Sequence, residues 1–147
     1  MEAPVKVLSA VVVAAALGFG GFVVSEHVDR QGLVKAAERA CGPLDTPVGA
    51  PMAPAGFVLP AGQKLLSVTT QGATTLVVAS TSGQRADIVR VRDAVLGSLV
   101  RTGYTKQSAD QEAGYEAEAE LAGRGAGTLK VRPLCTDRVE VRYTLRG

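Results

Sequence analysis

Residues 115–146, YEAEAELAGRGAGTLKVRPLCTDRVEVRYTLR, decide the fold. Tyr115, Ala117, Ala119 and Leu121 alternate with Glu116, Glu118 and Glu120. Leu129, Val131 and Pro133 alternate with Lys130 and Arg132, and Val139, Val141, Tyr143 and Leu145 with Glu140, Arg142, Thr144 and Arg146. A two-residue period puts one face of a strand on a core and the other in water, so the stretch predicts three half-buried strands. Gly123, Gly125 and Gly127 supply the first turn, and Cys135-Thr136-Asp137-Arg138 the second. Pro133 has no N–H to give a ladder, which predicts a strand end or a bulge there. Antiparallel pairing sets the three glutamates opposite Lys130 and Arg132, and cross-strand opposite charges of this kind contribute roughly a few tenths of a kcal/mol each. That accounts for the acidic row without a metal: carboxylates spaced along one strand diverge, and the neighbouring cations compete with a divalent ion.

Strands that share one apolar face need a cover. Residues 83–102 provide it, because Ile88, Val91, Val95 and Leu99 form one helical stripe widened by Val89 and Leu96. Asp87, Arg90, Gly97 and Arg101 face away. Thr81 with Gln84 forms a capping box on paper, with Ser82 as the alternative cap, and Gly103 stops the helix. Upstream, Leu65–Thr70 and Thr74–Ala79 flank Gln71-Gly72-Ala73 and predict a hairpin over Lys64–Ser80. Residues 104–113, YTKQSADQEA, are polar and read as a loop that sets specificity. The order is β-β-α-β-β-β: an α+β domain over residues 63–147, with an antiparallel sheet of about five strands under one main helix.

Working back to the start, residues 7–25, VLSAVVVAAALGFGGFVVS, carry no charge. The eighteen positions from Val7 to Val24 would span about 27 Å as a helix, near the roughly 30 Å of a bilayer core. The expectation is a transmembrane anchor with residues 1–6 as a cytoplasmic flank and the C-terminal domain extracytoplasmic. Cleavage after Ser25 as a signal peptide is the alternative. Ala10, Ala14 and Gly18 form a small-residue stripe suited to self-association of such a helix. Residues 26–41 predict a juxtamembrane helix stopped by Gly42-Pro43. Residues 42–62 hold five prolines (Pro43, Pro47, Pro51, Pro54 and Pro60) and predict a segment laid across the domain surface. Pro51–Pro54 has PxxP spacing.

Cys41 and Cys135 are the two cysteines and bracket nearly all of the expected exported part. In an oxidising compartment such a pair can form a disulfide, which here would close a loop of about 95 residues; two free buried thiols are the alternative. With His27 as the one histidine, a four-ligand zinc site lacks donors. No G-x-S-x-G, H-E-x-x-H, P-loop or Rossmann pattern occurs, and Gly123-x-Gly125-x-Gly127 precedes no helix that would bind phosphate. Asp110, Glu112 and Glu116 are not spaced as a glycosidase pair. A net charge of +2 without a Lys/Arg run gives no basis for a nucleic-acid partner, and the absence of tryptophan leaves little surface for stacking sugars. One isoleucine, Ile88, no asparagine, and a load of Ala, Gly, Val and Arg suggest a high-GC bacterial genome.

The expected function is therefore a non-catalytic, membrane-anchored protein-binding module, a subunit of a bacterial envelope or secretion assembly. Its expected place is the cell membrane, single-pass. Its expected partners are membrane lipid through residues 7–25 and another envelope protein, with no cofactor or metal. Phe57, Leu59, Tyr104 and Lys106 are the candidate partner surface. The alternative is a secreted module, released by cleavage after Ser25, that binds a small ligand or cell-wall component.

Overall fold

The computed structural model describes residues 30–147. The expected anchor 7–25, its flank 1–6 and the first residues of the juxtamembrane helix lie outside that range. The elements are helix α1 (Arg30–Glu38), strands β1 (Lys64–Gln71) and β2 (Thr74–Ser82), helix α2 (Ile88–Arg101), and strands β3 (Tyr104–Glu112), β4 (Glu116–Gly123), β5 (Ala126–Cys135) and β6 (Arg138–Arg146). Short 3-10 turns occupy Gly42–Asp45 and Arg85–Asp87.

The six strands form one sheet in the order β1-β2-β6-β5-β4-β3, antiparallel throughout. β3 to β6 are a meander, and β6 then pairs along its whole length with β2, from Thr74↔Arg146 to Ser82↔Arg138. The connection through α2 carries the chain from β2 across three strands to the far edge.

Two expectations are corrected. Residues 104–112 are a strand, not a loop, so the sheet has six strands in the order β-β-α-β-β-β-β. Only Tyr104 of β3 is buried, and Thr105–Glu112 are all exposed. An edge strand held by one neighbour makes no demand for alternating apolar residues, and its charges and the bulge at Lys106/Ser108 suit an edge that must not recruit another chain. Second, no helix among the described residues is long and apolar enough to cross a membrane. The architecture is a two-helix, six-stranded antiparallel domain. The single-pass topology, membrane location, lipid partner, stripe-mediated self-association and membrane-anchored module of an envelope or secretion assembly all rest on residues 7–25, outside the described range; no described helix supports them, and they are withdrawn.

The core lies on one face of the sheet. Val77 and Ala79 of β2, Val139, Val141 and Tyr143 of β6, Leu129 and Val131 of β5, and Ala117, Ala119 and Leu121 of β4 point to it. α2 adds Ile88, Val91, Val95, Leu96 and Leu99. Its start differs from the expected cap: Gln84 and Asp87 cap one another reciprocally, and the Gln84 N–H donates to the Asp87 carboxylate at 2.8 Å. Buried Arg92 fastens α2 to the edge strand through a 2.9 Å bond to the Asp110 carbonyl.

A helix about 10 Å wide covers two to three strands spaced about 4.8 Å apart. α2 accordingly packs on β3, β4 and β5. The apolar face over β6, β2 and β1 has a second roof, the Pro-rich segment. Phe57 meets the Tyr143 ring edge-on at 5.0 Å, and the Tyr143 hydroxyl donates to Gln63 at 2.7 Å. Burial pushes the Tyr143 phenol well up from its ordinary pKa, so it stays protonated as a donor.

The same segment begins on the opposite face. α1 packs against β5, Cys41 is bonded to Cys135, and Asp45 reaches Ser80 and Lys64. The chain then passes the β1 edge, where the Val48 N–H donates to the Leu66 carbonyl at 2.8 Å, and arrives at Phe57. Residues 30–60 thus wrap the sheet from one face to the other.

Candidate functional site

Most charged side chains on the sheet's second face are consumed by one another. Lys130 lies 3.3 Å from both Glu116 and Glu118. Arg132, expected opposite the β4 glutamates, turns to Glu140 of β6 at 2.8 Å, and Arg142 binds the same carboxylate. Glu120 pairs with Thr128 across the strands. Among the described residues there is no group of three or more His, Cys, Asp or Glu side chains placed to hold a metal.

A second network sits beside the disulfide. The Asp45 carboxylate accepts from Lys64 at 2.6 Å and from the fully buried Ser80 hydroxyl. Arg138 donates to Ser80 at 2.9 Å and to Ser82 at 3.1 Å, and its Nε lies 3.3 Å from Asp45 without hydrogen-bond alignment. Burial pushes the Asp45 carboxyl up. The hydrogen bonds from Lys64 and Ser80, with the charges of Arg138 and Lys64, outweigh burial and hold its pKa below the ordinary value. A serine beside a carboxylate and a lysine invites a nucleophilic reading, but Ser80 has no exposed surface and its oxygen is already engaged twice. This network fixes the N-terminal arm.

The two roofs of the apolar face meet along a seam, and the seam is hollow at both ends. Near the N-terminal half of α2 it opens into a groove of about 180 Å³ between Pro60, Gln63 and Thr81 on one side and Arg90, Val95 and Ser98 on the other. Beyond the C-terminal end of α2 it opens into a cleft of about 280 Å³. Phe57, Tyr104 and Leu145 supply its large apolar side chains beside Pro54, Ala55 and Ala73, Thr75 a hydroxyl, and Arg124 a guanidinium; no acidic side chain lines it. A third hollow, of about 270 Å³, lies between α1 and Tyr115, whose ring also receives Arg30 at 5.3 Å and Arg85 at 5.1 Å.

The position of Arg124 follows from the β4–β5 turn. Gly123 has φ +86°, and a Cβ there would lie 2.7 Å from the Gly103 carbonyl oxygen. The Arg124 N–H donates to that same carbonyl at 3.0 Å, which seats the turn against the end of α2. The side chain reaches back over the cleft until Nη2 would stand 2.8 Å from a Cβ at Gly56. Its protein hydrogen bond is a long one, 3.4 Å to the Thr102 carbonyl. Arg124 forms no ion pair among the described residues. Arg146 also lines the cleft, but strand alternation with Tyr143 and Leu145 sends its side chain toward the other face.

Of the four residues named from the sequence, the structure brings Phe57 and Tyr104 together in this cleft. Both are largely buried and also serve the core. Leu59 packs against the core, and Lys106 stands exposed on β3 opposite Leu121. Arg124 escaped sequence reasoning because Gly123-Arg124-Gly125 reads as turn punctuation. The available signal was a long cation set between two glycines that leave its backbone free to approach neighbours. Four large apolar side chains of the wrapping segment, Leu44, Val48, Met52 and Val58, are exposed, while Ala36, Phe57 and Pro60 are buried and Leu59 packs partly buried against the core.

No family model, curated protein or solved structure matches this chain. The fold and cleft define a disulfide-closed α+β domain with a hollow between its two roofs.

Proposed function

We propose that this is a non-catalytic small-ligand-binding domain that works in an oxidising compartment, and that the 280 Å³ cleft beyond α2 receives the ligand. The observation that carries the reading is the contrast in how polar groups are spent. The charges of the second face and of the Asp45 network satisfy one another, whereas the cleft gathers apolar side chains, a hydroxyl and a guanidinium without a carboxylate partner. A concavity with an apolar wall and a few convergent polar groups is the usual form of a small-molecule site. Its volume suits a compact ligand with a flat or branched apolar body. The Cys41–Cys135 bond supports the choice of compartment, since a 94-residue separation closed by a disulfide persists where thiols are oxidised.

The test is a backbone amide chemical-shift titration with benzyl alcohol, an uncharged aromatic probe. Saturable shifts clustered at residues 54–57, 73–75, 104, 124–125 and 145 are expected. Ala55→Trp, placed at an exposed lining position, should abolish them by filling the cleft. Shifts that never saturate, or that map to another surface, would overturn the assignment.

A further inference from the structure

Resting on the cleft reading, we infer that the ligand is a monoanion, an apolar body carrying one carboxylate, and that Arg124 is the residue that reads the charge. Four observations converge. The cleft is lined by Arg124 and Arg146 and by no acidic side chain, in a chain whose formal net charge is only +2. Arg124 lacks a carboxylate partner among the described residues, while Lys64, Lys130, Arg132, Arg138 and Arg142 all have one. Its one protein bond, at 3.4 Å to Thr102, leaves most of its five N–H donors unspent. Glycine at 56, at φ +79°, leaves the guanidinium room to lie against the cleft's rim, where a Cβ would require Nη2 to shift.

The number of cations sets the charge of the ligand. A planar guanidinium matches a carboxylate through two parallel N–H···O bonds. Arg146 points to the opposite face by strand alternation, so a single side-chain charge meets the ligand. One guanidinium neutralises a carboxylate, whereas a phosphate dianion would be left with uncompensated charge beside Phe57 and Leu145. The geometry therefore favours the monoanion.

The role in tying the turn to Thr102 is the competing account of Arg124, and the two separate experimentally. Benzoate and its neutral isostere benzamide would be titrated into the wild type, Arg124→Gln and Arg146→Gln, with thermal unfolding of each variant as a folding control. Benzoate is expected to bind the wild type at least about tenfold more tightly than benzamide, the size of a charge-assisted bond in a partly desolvated site. In Arg124→Gln, which removes the charge, that preference should vanish while benzamide affinity holds. Arg146→Gln should keep the preference. Equal binding of the two probes by the wild type would overturn the anion inference and leave the cleft standing. Binding of neither would overturn the cleft itself. Phenyl phosphate binding more tightly than benzoate would overturn the choice of a carboxylate.

Discussion

Reducing the Cys41–Cys135 bond should destabilise the whole domain, by an amount set by loop length. With the cysteines 94 positions apart in sequence, the chain-entropy relation gives about 4–5 kcal/mol at 25 °C. That is a large share of the roughly 5–15 kcal/mol typical of a domain this size. The figure holds only if the arm stays docked when the bond is cut, and the structure supplies independent attachments. Thr136 donates to the Arg39 carbonyl from both its N–H, at 2.9 Å, and its hydroxyl, at 2.7 Å. Asp45 is held by Lys64 and Ser80 with Arg138 alongside, and α1 rests on β5. The bond's main effect is then on the unfolded chain. The assay is urea unfolding of the oxidised and reduced wild-type domain, with amide hydrogen exchange of residues 30–45 under native conditions. The reduced form should unfold at a midpoint lower by about 2 M, taking a slope of about 2 kcal/mol per M, with a steeper slope because its unfolded ensemble exposes more surface. The slow amides of α1 should exchange only through global unfolding. A loss under about 1 kcal/mol, with α1 amides exchanging freely, would refute the reasoning. It would mean that the bond is the arm's sole attachment and that cutting it frees a local segment.

Asp45 makes stability acid-sensitive. Its folded pKa is depressed below the unfolded carboxylate value of about 3.9, so its contribution is complete above that pH and is lost as pH falls through the folded value. Thermal unfolding between about pH 7 and pH 2 should show wild type and Asp45→Asn converging below about pH 4; a constant gap across the range would contradict the network. At the β5–β6 pairing, Gly127→Ala drives a methyl into the Thr144 carbonyl and should cost about 1–3 kcal/mol. Gly125→Ala, whose Cβ would meet nothing nearer than 3.5 Å, should change stability by under about 0.5 kcal/mol in the same denaturation assay.

How far the sequence carried depends on what each residue had to satisfy. Leu129, Val131, Val139 and Val141 must reach a core while Lys130, Arg132 and Arg142 must not, and that conflict writes strand alternation directly into the chain. The α2 stripe is legible for the same reason. β3 has no such conflict: eight exposed residues need only backbone bonds to β4, and YTKQSADQE carries no period. The pairing of β6 with β2 is equally silent, since β2 and β6 are separated by α2 and three strands and Val77 or Ala79 would fit beside several neighbours. Cys41 and Cys135 were readable because an oxidised pair needs only two thiols and the right compartment. Arg124 was not, because what distinguishes it is a missing partner, and absence of an acid from a cleft is a property of three dimensions.

The cleft is a consequence of arithmetic in the fold. Six strands about 4.8 Å apart present an apolar face about 24 Å wide between outer strand axes, more than twice the width of one helix. α2 covers the meander half, so the other half must be roofed by whatever chain remains, and residues 42–63 are that chain. Rich in proline and glycine, they cannot pack as a second helix with a continuous stripe. They seat Phe57 on Tyr143 and place Gln63 on its hydroxyl, leaving a seam against α2. Hollows at its two ends, of about 180 and 280 Å³, are what such a two-part roof leaves. Only at the larger one does a turn project an unpaired cation, because Gly123 lets the β4–β5 corner press against Gly103 at the end of α2. The feature that makes the roof imperfect is thus the feature that makes the proposed site.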